Sequence, residues 1–286
     1  DVTVVMPVKD RAHLITRSLD SIAAQTLRPR EVVVVDDGST DGTADVARRH
    51  GATVIELPAN EGIGPARNHG IRAAGTTWIA FCDSDDEWRP DHLQRLVQRA
   101  GRHVLVAAPA ESTRGRVLGN PLPHPVPLTP LSLLSPGDLV VTSGVLARRA
   151  ALVEAGLFEP LPRAEDLDMW VRLLERGSGV ALSGPSVTYH EHAEQSIHDR
   201  DLMRRCVEDV IARAHGSVLP AHRDVDRAMS KLRWDDLRAA QRDRDLAGLA
   251  RHGGWLAARP HTWPTLLQVM RLRRAARAGG PLATTG

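Results

Sequence analysis

The chain has 286 residues, 42% of them hydrophobic and 25% charged, with a formal net charge of +2 at pH 7. Those proportions fit a globular protein with a sizeable core and exclude a disordered or fibrous chain, while the near balance of charge gives no argument for nucleic acid as a partner. No run of about 18 apolar residues is present, so no membrane span is expected, and two cysteines in a chain of this length point to a reducing, cytoplasmic setting.

Val2-Thr-Val-Val-Met6 is continuously apolar and predicts a strand covered on both faces, ended by Pro7. Residues 13–25 place Leu14, Ile15, Leu19, Ile22 and Ala23 at helical spacing, and Pro29 closes that helix. Val32-Val-Val-Val35 predicts a second buried strand that runs straight into Asp36, Asp37 and Gly38. Ser39, Thr40 and Asp41 then offer caps for a helix reaching His50. Residues 52–57 give a third strand, Gly62-Ile-Gly-Pro65 a turn opening a helix that carries Arg67 and Asn68, and residues 77–81 a fourth strand. Strands alternating with helices predict βαβ units and a mostly parallel sheet, in which ligands bind beyond the carboxyl ends of the strands. Three of those ends are polar: Pro7-Val-Lys-Asp10, Asp36-Asp37-Gly38 and Asp83-Ser-Asp85.

The fourth strand ends most abruptly, Trp78-Ile-Ala-Phe-Cys82 giving way to Asp83, Asp85 and Asp86. Grouped carboxylates repel and must stay solvated or find a cation. Asp83 and Asp85 are two apart and face one side of an extended backbone, a pattern that suits Mg²⁺ or Mn²⁺, hard ions that share their shell with phosphate oxygens. The alternative is an acidic loop that merely favours the start of the helix after Pro90. On this segment alone both readings stand.

Prolines crowd the stretch between residues 110 and 137, which predicts a long loop, either functional or a linker. Order returns over residues 139–147, followed by a helix from Arg149 to Ala155. Another helix opens at Arg163-Ala-Glu-Asp-Leu-Asp-Met-Trp170 with Glu165 and Asp166 in its first turn, where the dipole favours ionised carboxylates. Residues 180–182 and 187–189 predict short strands, then His190-Glu-His192. Residues 199–286 read as helices, with Leu202, Cys206, Val210 and Ile211 on one stripe. Near the end, Trp263, Leu266, Leu267, Met270 and Leu272 stand among Arg271, Arg273, Arg274 and Arg277. That texture is either a basic amphipathic helix touching a membrane surface through residues 255–277 or a helix packed on the body with a wet arginine face.

Five segments now reached resemble, in the usual order, the family 2 glycosyltransferases: Val5-Met-Pro-Val-Lys-Asp10, Val35-Asp-Asp-Gly-Ser39, Asn60-Glu-Gly-Ile-Gly-Pro-Ala-Arg-Asn68, Phe81-Cys-Asp-Ser-Asp-Asp86 and Ala164-Glu-Asp-Leu-Asp-Met-Trp170. The resemblance covers residues 2–197 and implies an α/β GT-A (Rossmann-like) fold, a mostly parallel central sheet flanked by helices, with residues 198–286 as a helical C-terminal extension. Residues 1–109 would form the nucleotide-sugar half and residues 110–197 the acceptor and catalytic half. The resemblance implies a metal-dependent inverting enzyme that moves a sugar from a UDP- or dTDP-sugar. Pro7, Val8 and Asp10 would line the base and ribose pocket, although Asp10 stands where the family often has Asn. Asp37 would accept the imide N–H of the base, and Arg67 would sit near the diphosphate. Asp83 and Ser84 would touch the donor, and Asp83, Asp85 and His192 would hold Mn²⁺ or Mg²⁺. Asp166 would be the general base, with Glu165 orienting its loop. The acceptor stays open among a saccharide, a lipid-linked sugar, a natural product and a peptide, and the expected place is the cytoplasm or the inner face of its membrane, with homo-oligomers allowed. Two other readings stand beside this one: a nucleotidyltransferase, which Pro7-Val-Lys-Asp-Arg11 fits poorly, and a non-catalytic nucleotide-sugar-binding scaffold, against which the intact acids argue.

Overall fold

In the computed structural model, which describes residues 1–134, 139–191, 200–217, 219 and 221–278, every residue of β1 (Val2–Val8) is buried. A strand can be so only in the middle of a sheet covered on both faces. Its neighbours β2 (Glu31–Asp36) and β4 (Trp78–Phe81) both run parallel to it, and β3 (Thr53–Glu56) adds parallel to β2. The crossovers are α1 (Ile15–Ala23), α2 (Thr43–Arg49) and α3 (Ile63–Ala73). Successive side chains of β1 point to opposite faces. Val4, Met6 and Val8 meet Ile15, Leu19 and Ile22 of α1 and Leu93 and Leu96 of α4 (His92–Ala100). Val5 lies in the other core, with Phe81, Phe158 and Trp170. Gly70 of α3 faces Val5 so closely that an added Cβ would lie 2.5 Å from its Cγ1.

Beyond β4 the sheet continues through β10 (Val145–Arg148), β6 (Leu105–Ala107), β11 (Gly179–Ala181) and β9 (Val126–Leu128), eight strands in the order β3-β2-β1-β4-β10-β6-β11-β9. β10 is antiparallel to both β4 and β6, and β9 to β11; the other pairings in this sheet are parallel, as expected of the fold. A second sheet is formed by β5 (Glu87–Trp88), β12 (Val187–Tyr189), β7 (Ala110–Ser112) and β8 (Val117–Leu118) in that order. The proline-rich stretch is therefore not all loop: it holds β7, β8, β9 and the short α5 (Pro130–Leu134). Pro127 is tolerated in β9 because β9 is an edge strand, where the missing N–H costs no ladder bond. Residues 139–147 are not one strand, since Thr142–Gly144 form a 3-10 turn before β10.

α6 (Arg149–Glu154) and α7 (Glu165–Leu174) pack with α3 on one face of the main sheet. α8 (Arg200–Ala214) and α9 (His222–Asp243) join the same core, contributing Val210, Ile211, Ala214 and Ala228. Arg213 also lies 3.3 Å from Asp168 of α7. The start of the C-terminal extension thus shares its packing with the sheet. α10 (Leu246–Ala257) and α11 (Trp263–Ala278) pack outside it on α9.

Candidate active site

The polar strand ends are tied together by their own side chains. At the end of β1, Asp10 takes a left-handed backbone, φ 52°. Its Oδ1 accepts the Thr40 N–H at 2.8 Å and its own N–H donates to Ser39 Oγ at 2.8 Å. Pro7 and Val8 are buried in the last turns of β1 beside Val35 and Asp36. Asp37, only 5% exposed, accepts the Glu61 N–H (2.6 Å) and the Gly62 N–H (2.9 Å), one on each oxygen. Each oxygen keeps a further lone pair. Asp37 therefore pins the entry of α3, whose next turns carry Arg67.

Arg67 is 2% exposed and lies with its guanidinium carbon 5.5 Å from the centre of the Phe158 ring. Phe158 in turn packs with Phe81 and Trp170, the three rings 5.5–5.7 Å apart. A cation there must be paired, and it is: Nη2 donates to Asp83 Oδ1 at 2.9 Å and Nη1 to Glu165 Oε1 at 2.8 Å. One side chain thus joins the acidic end of β4 to the first turn of α7. Burial opposes its charge, but Asp83, Glu165 and Asp166 outweigh that and hold the guanidinium protonated.

The acids outnumber their cation. Burial, then the charges of neighbouring acids, drives Asp86 well above the usual carboxylate range. Burial also raises Asp83 and Glu165, with Asp85 and Asp166 respectively adding to the rise and Arg67 opposing it. Burial first, and then Asp86, Asp85 and Asp83, push the Tyr189 hydroxyl up to about 12. Buried carboxylates grouped in this way fit a divalent cation. Asp83 and Asp85 are the residues that would hold it, with phosphate oxygens completing the shell. Among the described residues no three His, Cys, Asp or Glu side chains gather as a ready-made metal cage, and His192 lies outside the described residues.

Asp166 is half-buried at the start of α7, one residue past Glu165. Its Oδ2 accepts from Thr142 Oγ1 at 2.9 Å and its Oδ1 from the Leu167 N–H at 2.7 Å. Ala164 before the pair is left-handed, φ 59°, at a cost of about 1–2 kcal/mol for a residue with a Cβ. Ser84 is buried between Asp83 and Asp85.

Sequence reasoning missed Thr142 and Ser143. Ser143 Oγ donates to Asp86 Oδ2 at 2.5 Å and accepts the Asp83 N–H at 3.0 Å, while its carbonyl accepts Trp88 Nε1 at 2.7 Å. The available signal was a polar Thr-Ser-Gly interrupting an apolar run. It also missed the brace on the far side of the acids: Glu87 Oε1 lies 2.6 Å from His190 Nε2 and 2.9 Å from Arg17 Nε, and Arg17 Nη2 donates to the Asp85 carbonyl at 3.2 Å. Arg17, Glu87 and Trp88 also wall a cavity of about 500 Å³ beside α1.

Residues 3–128 match the family description "Glycosyl transferase family 2". The succinoglycan biosynthesis protein ExoO of Rhizobium meliloti is 48% identical over 103 residues, 35% of this chain and 30% of that protein. ExoU of the same organism, also named for succinoglycan biosynthesis, is 32% identical over 199 residues, 62% of this chain and 58% of its own length. A pre-mycofactocin glycosyltransferase of Mycobacterium tuberculosis is 31% identical over 212 residues, 68% of this chain and 43% of its own. The chain thus spans between 30% and 58% of the length of these three curated relatives. In structure it superposes on Staphylococcus aureus TarS (residues 1–349) in complex with UDP-GlcNAc at a TM-score of 0.66 and 19% identity, covering 98% of this chain and 88% of that one. It superposes on the mannosyltransferase PcManGT of Pyrobaculum calidifontis, in complex with GDP-Man and Mn²⁺, at 0.59 and 22% identity, covering 97% and 86%. The fold is that of the GT-A glycosyltransferases. The match to the family 2 glycosyltransferases is confined to residues 3–128, less than half of the chain.

Proposed function

We propose that the protein transfers a sugar from a UDP- or dTDP-sugar to a saccharide acceptor, inverting the anomeric carbon, with Asp166 as general base. The observation that carries this reading is Arg67, which holds Asp83 and the Glu165-Asp166 pair in one cluster. The donor nucleotide would lie across the ends of β1, β2 and β4, its base against Pro7, Val8 and Asp37 and its ribose near Asp10, Asp83 and Ser84. Arg67, with both guanidinium arms engaged by carboxylates, acts on the diphosphate side by fixing Asp83 rather than by direct contact. Bound Mn²⁺ or Mg²⁺ supplies neutralising charge to the departing diphosphate. The acceptor hydroxyl oxygen bonds to the anomeric carbon from the face opposite the leaving group. The bond from that carbon to the phosphate oxygen breaks, and its electron pair leaves with the nucleoside diphosphate. The hydroxyl proton passes to Asp166, kept in place by Thr142. A saccharide acceptor is favoured by the relatives named for succinoglycan biosynthesis.

The test is turnover of UDP-sugars with Mn²⁺ and oligosaccharide acceptors. Asp166→Asn should cut kcat by about 10²–10⁴-fold while the thermal shift given by UDP persists, and EDTA should abolish that shift. Turnover by Asp166→Asn at the wild-type rate, or a UDP shift indifferent to EDTA, would overturn the assignment of base or metal respectively.

A further inference from the structure

α11 carries a surface that the transfer chemistry leaves unexplained. Leu266 and Val269, 6% and 2% exposed, form its inner side, which packs on α9 and on the turn Pro260–Thr262. Its outer side is also apolar: Trp263 is 52% exposed, Leu267 54% and Met270 37%. Steps of four and three residues put these on one stripe of the helix, and the next step along it is the exposed Arg274, flanked by the exposed Arg271. No aspartate or glutamate occurs between residues 263 and 278. Asp226 of α9 is engaged by Arg259 at 2.9 Å and by His261 at 3.0 Å. The indole N–H of Trp263 donates to the Leu256 carbonyl at 3.1 Å, so the ring is held from its polar edge.

We propose that α11 docks the protein onto an anionic phospholipid bilayer, lying in the plane of the interface. Trp263, Leu267 and Met270 would enter the boundary between headgroups and acyl chains, where tryptophan rings are favoured. Arg271 and Arg274 would pair with lipid phosphates. The charge decides the occupant: an apolar stripe on a helix whose exposed charges, Arg271 and Arg274, are all positive is complementary to a negative surface and repels a second copy of itself. No helix among the described residues is long and apolar enough to cross a membrane, and the contact proposed for α11 is a peripheral one. This inference does not depend on which sugar the enzyme moves.

The experiment is co-sedimentation of the whole chain with sucrose-loaded vesicles of phosphatidylcholine alone or of phosphatidylcholine mixed with phosphatidylglycerol. Wild type should pellet with the mixed vesicles, stay in solution with the neutral ones, and be released by added salt. Replacing Arg271 and Arg274 together by Glu should weaken partitioning by about 30-fold or more, and Leu267→Glu by about 10-fold. These exposed sites leave the core untouched, so thermal unfolding and donor hydrolysis in solution should match wild type. Equal pelleting with both vesicle types, or variants that bind as wild type does, would overturn the proposal. So would a wild-type dimer in solution that Leu267→Glu dissolves, since a second copy would then cover the face.

Discussion

Arg67 shows how much one side chain can decide. Its partners are 16 and 98 positions away in the chain, so the sequence offers only an arginine on a helix, a residue that is usually solvated. The motif resemblance pointed to a place near the diphosphate, but not to full burial or to the double carboxylate clasp. Arg67→Met should destabilise the fold by about 3–5 kcal/mol, because it leaves Asp83 and Glu165 without their counter-charge in a low-dielectric setting. Chemical denaturation measures the loss. Arg67→Lys should recover little of it, since one ammonium cannot reproduce two guanidinium arms aimed at different carboxylates. Asp83, Asp85 and Asp166, by contrast, could be singled out as acids directly after an apolar strand or at a helix start, although the roles given to them rest on the resemblance and not on the segments alone. Their braces could not: Thr142, Ser143 and Glu87 are ordinary residue types whose role exists only once distant segments meet.

At the level of elements, the first four strands and three helices could be read from apolar runs and punctuation, because a central parallel sheet imposes continuous hydrophobic strands. The second half could not be read so well. β5 and β8 are two residues long, too short for any periodicity, and nothing in Val145–Arg148 announces a strand that inserts antiparallel between β4 and β6. The turn before that strand positions both Thr142 and Ser143. It depends on Gly144, where an added Cβ would run into the Ala108 carbonyl oxygen. Gly144→Ala should cost about 1–3 kcal/mol through forced displacement of the backbone and should slow turnover as well, because Asp166 and Asp86 lose aligned partners. Gly75→Ala, where an added Cβ meets open space, is the matched control and should leave both thermal unfolding and kcat near wild type.

For the molecule as a whole, stability should depend on pH through a residue away from the acids' own chemistry. His92 is fully buried, with Nδ1 2.8 Å from Ser186 Oγ and its ring 4.4 Å from that of Trp88. Burial, helped by Arg95, lowers its pKa from 6.5 to about 3. The unfolded chain therefore binds a proton that the folded one refuses between those two values. Stability from this site is complete above 6.5 and declines as pH falls towards 3. Denaturant unfolding at about pH 7 and about pH 5 should differ by about 2 kcal/mol from this source, and His92→Gln should flatten the difference even if it lowers the absolute stability.

The insertion of β10 has a consequence for how the polypeptide is made. β4 gains its second neighbour when Ala80 comes opposite Leu146, yet the stretch matching the family description stops at residue 128. As the ribosome extends the chain, Trp78-Ile-Ala-Phe81 stands with one open, wholly apolar edge until Val145–Arg148 have emerged, an invitation to pair with another nascent strand. A fragment trimmed to the matched stretch would keep that edge open permanently and should be recovered as aggregate, so the smallest piece worth producing alone is one that carries its own β10.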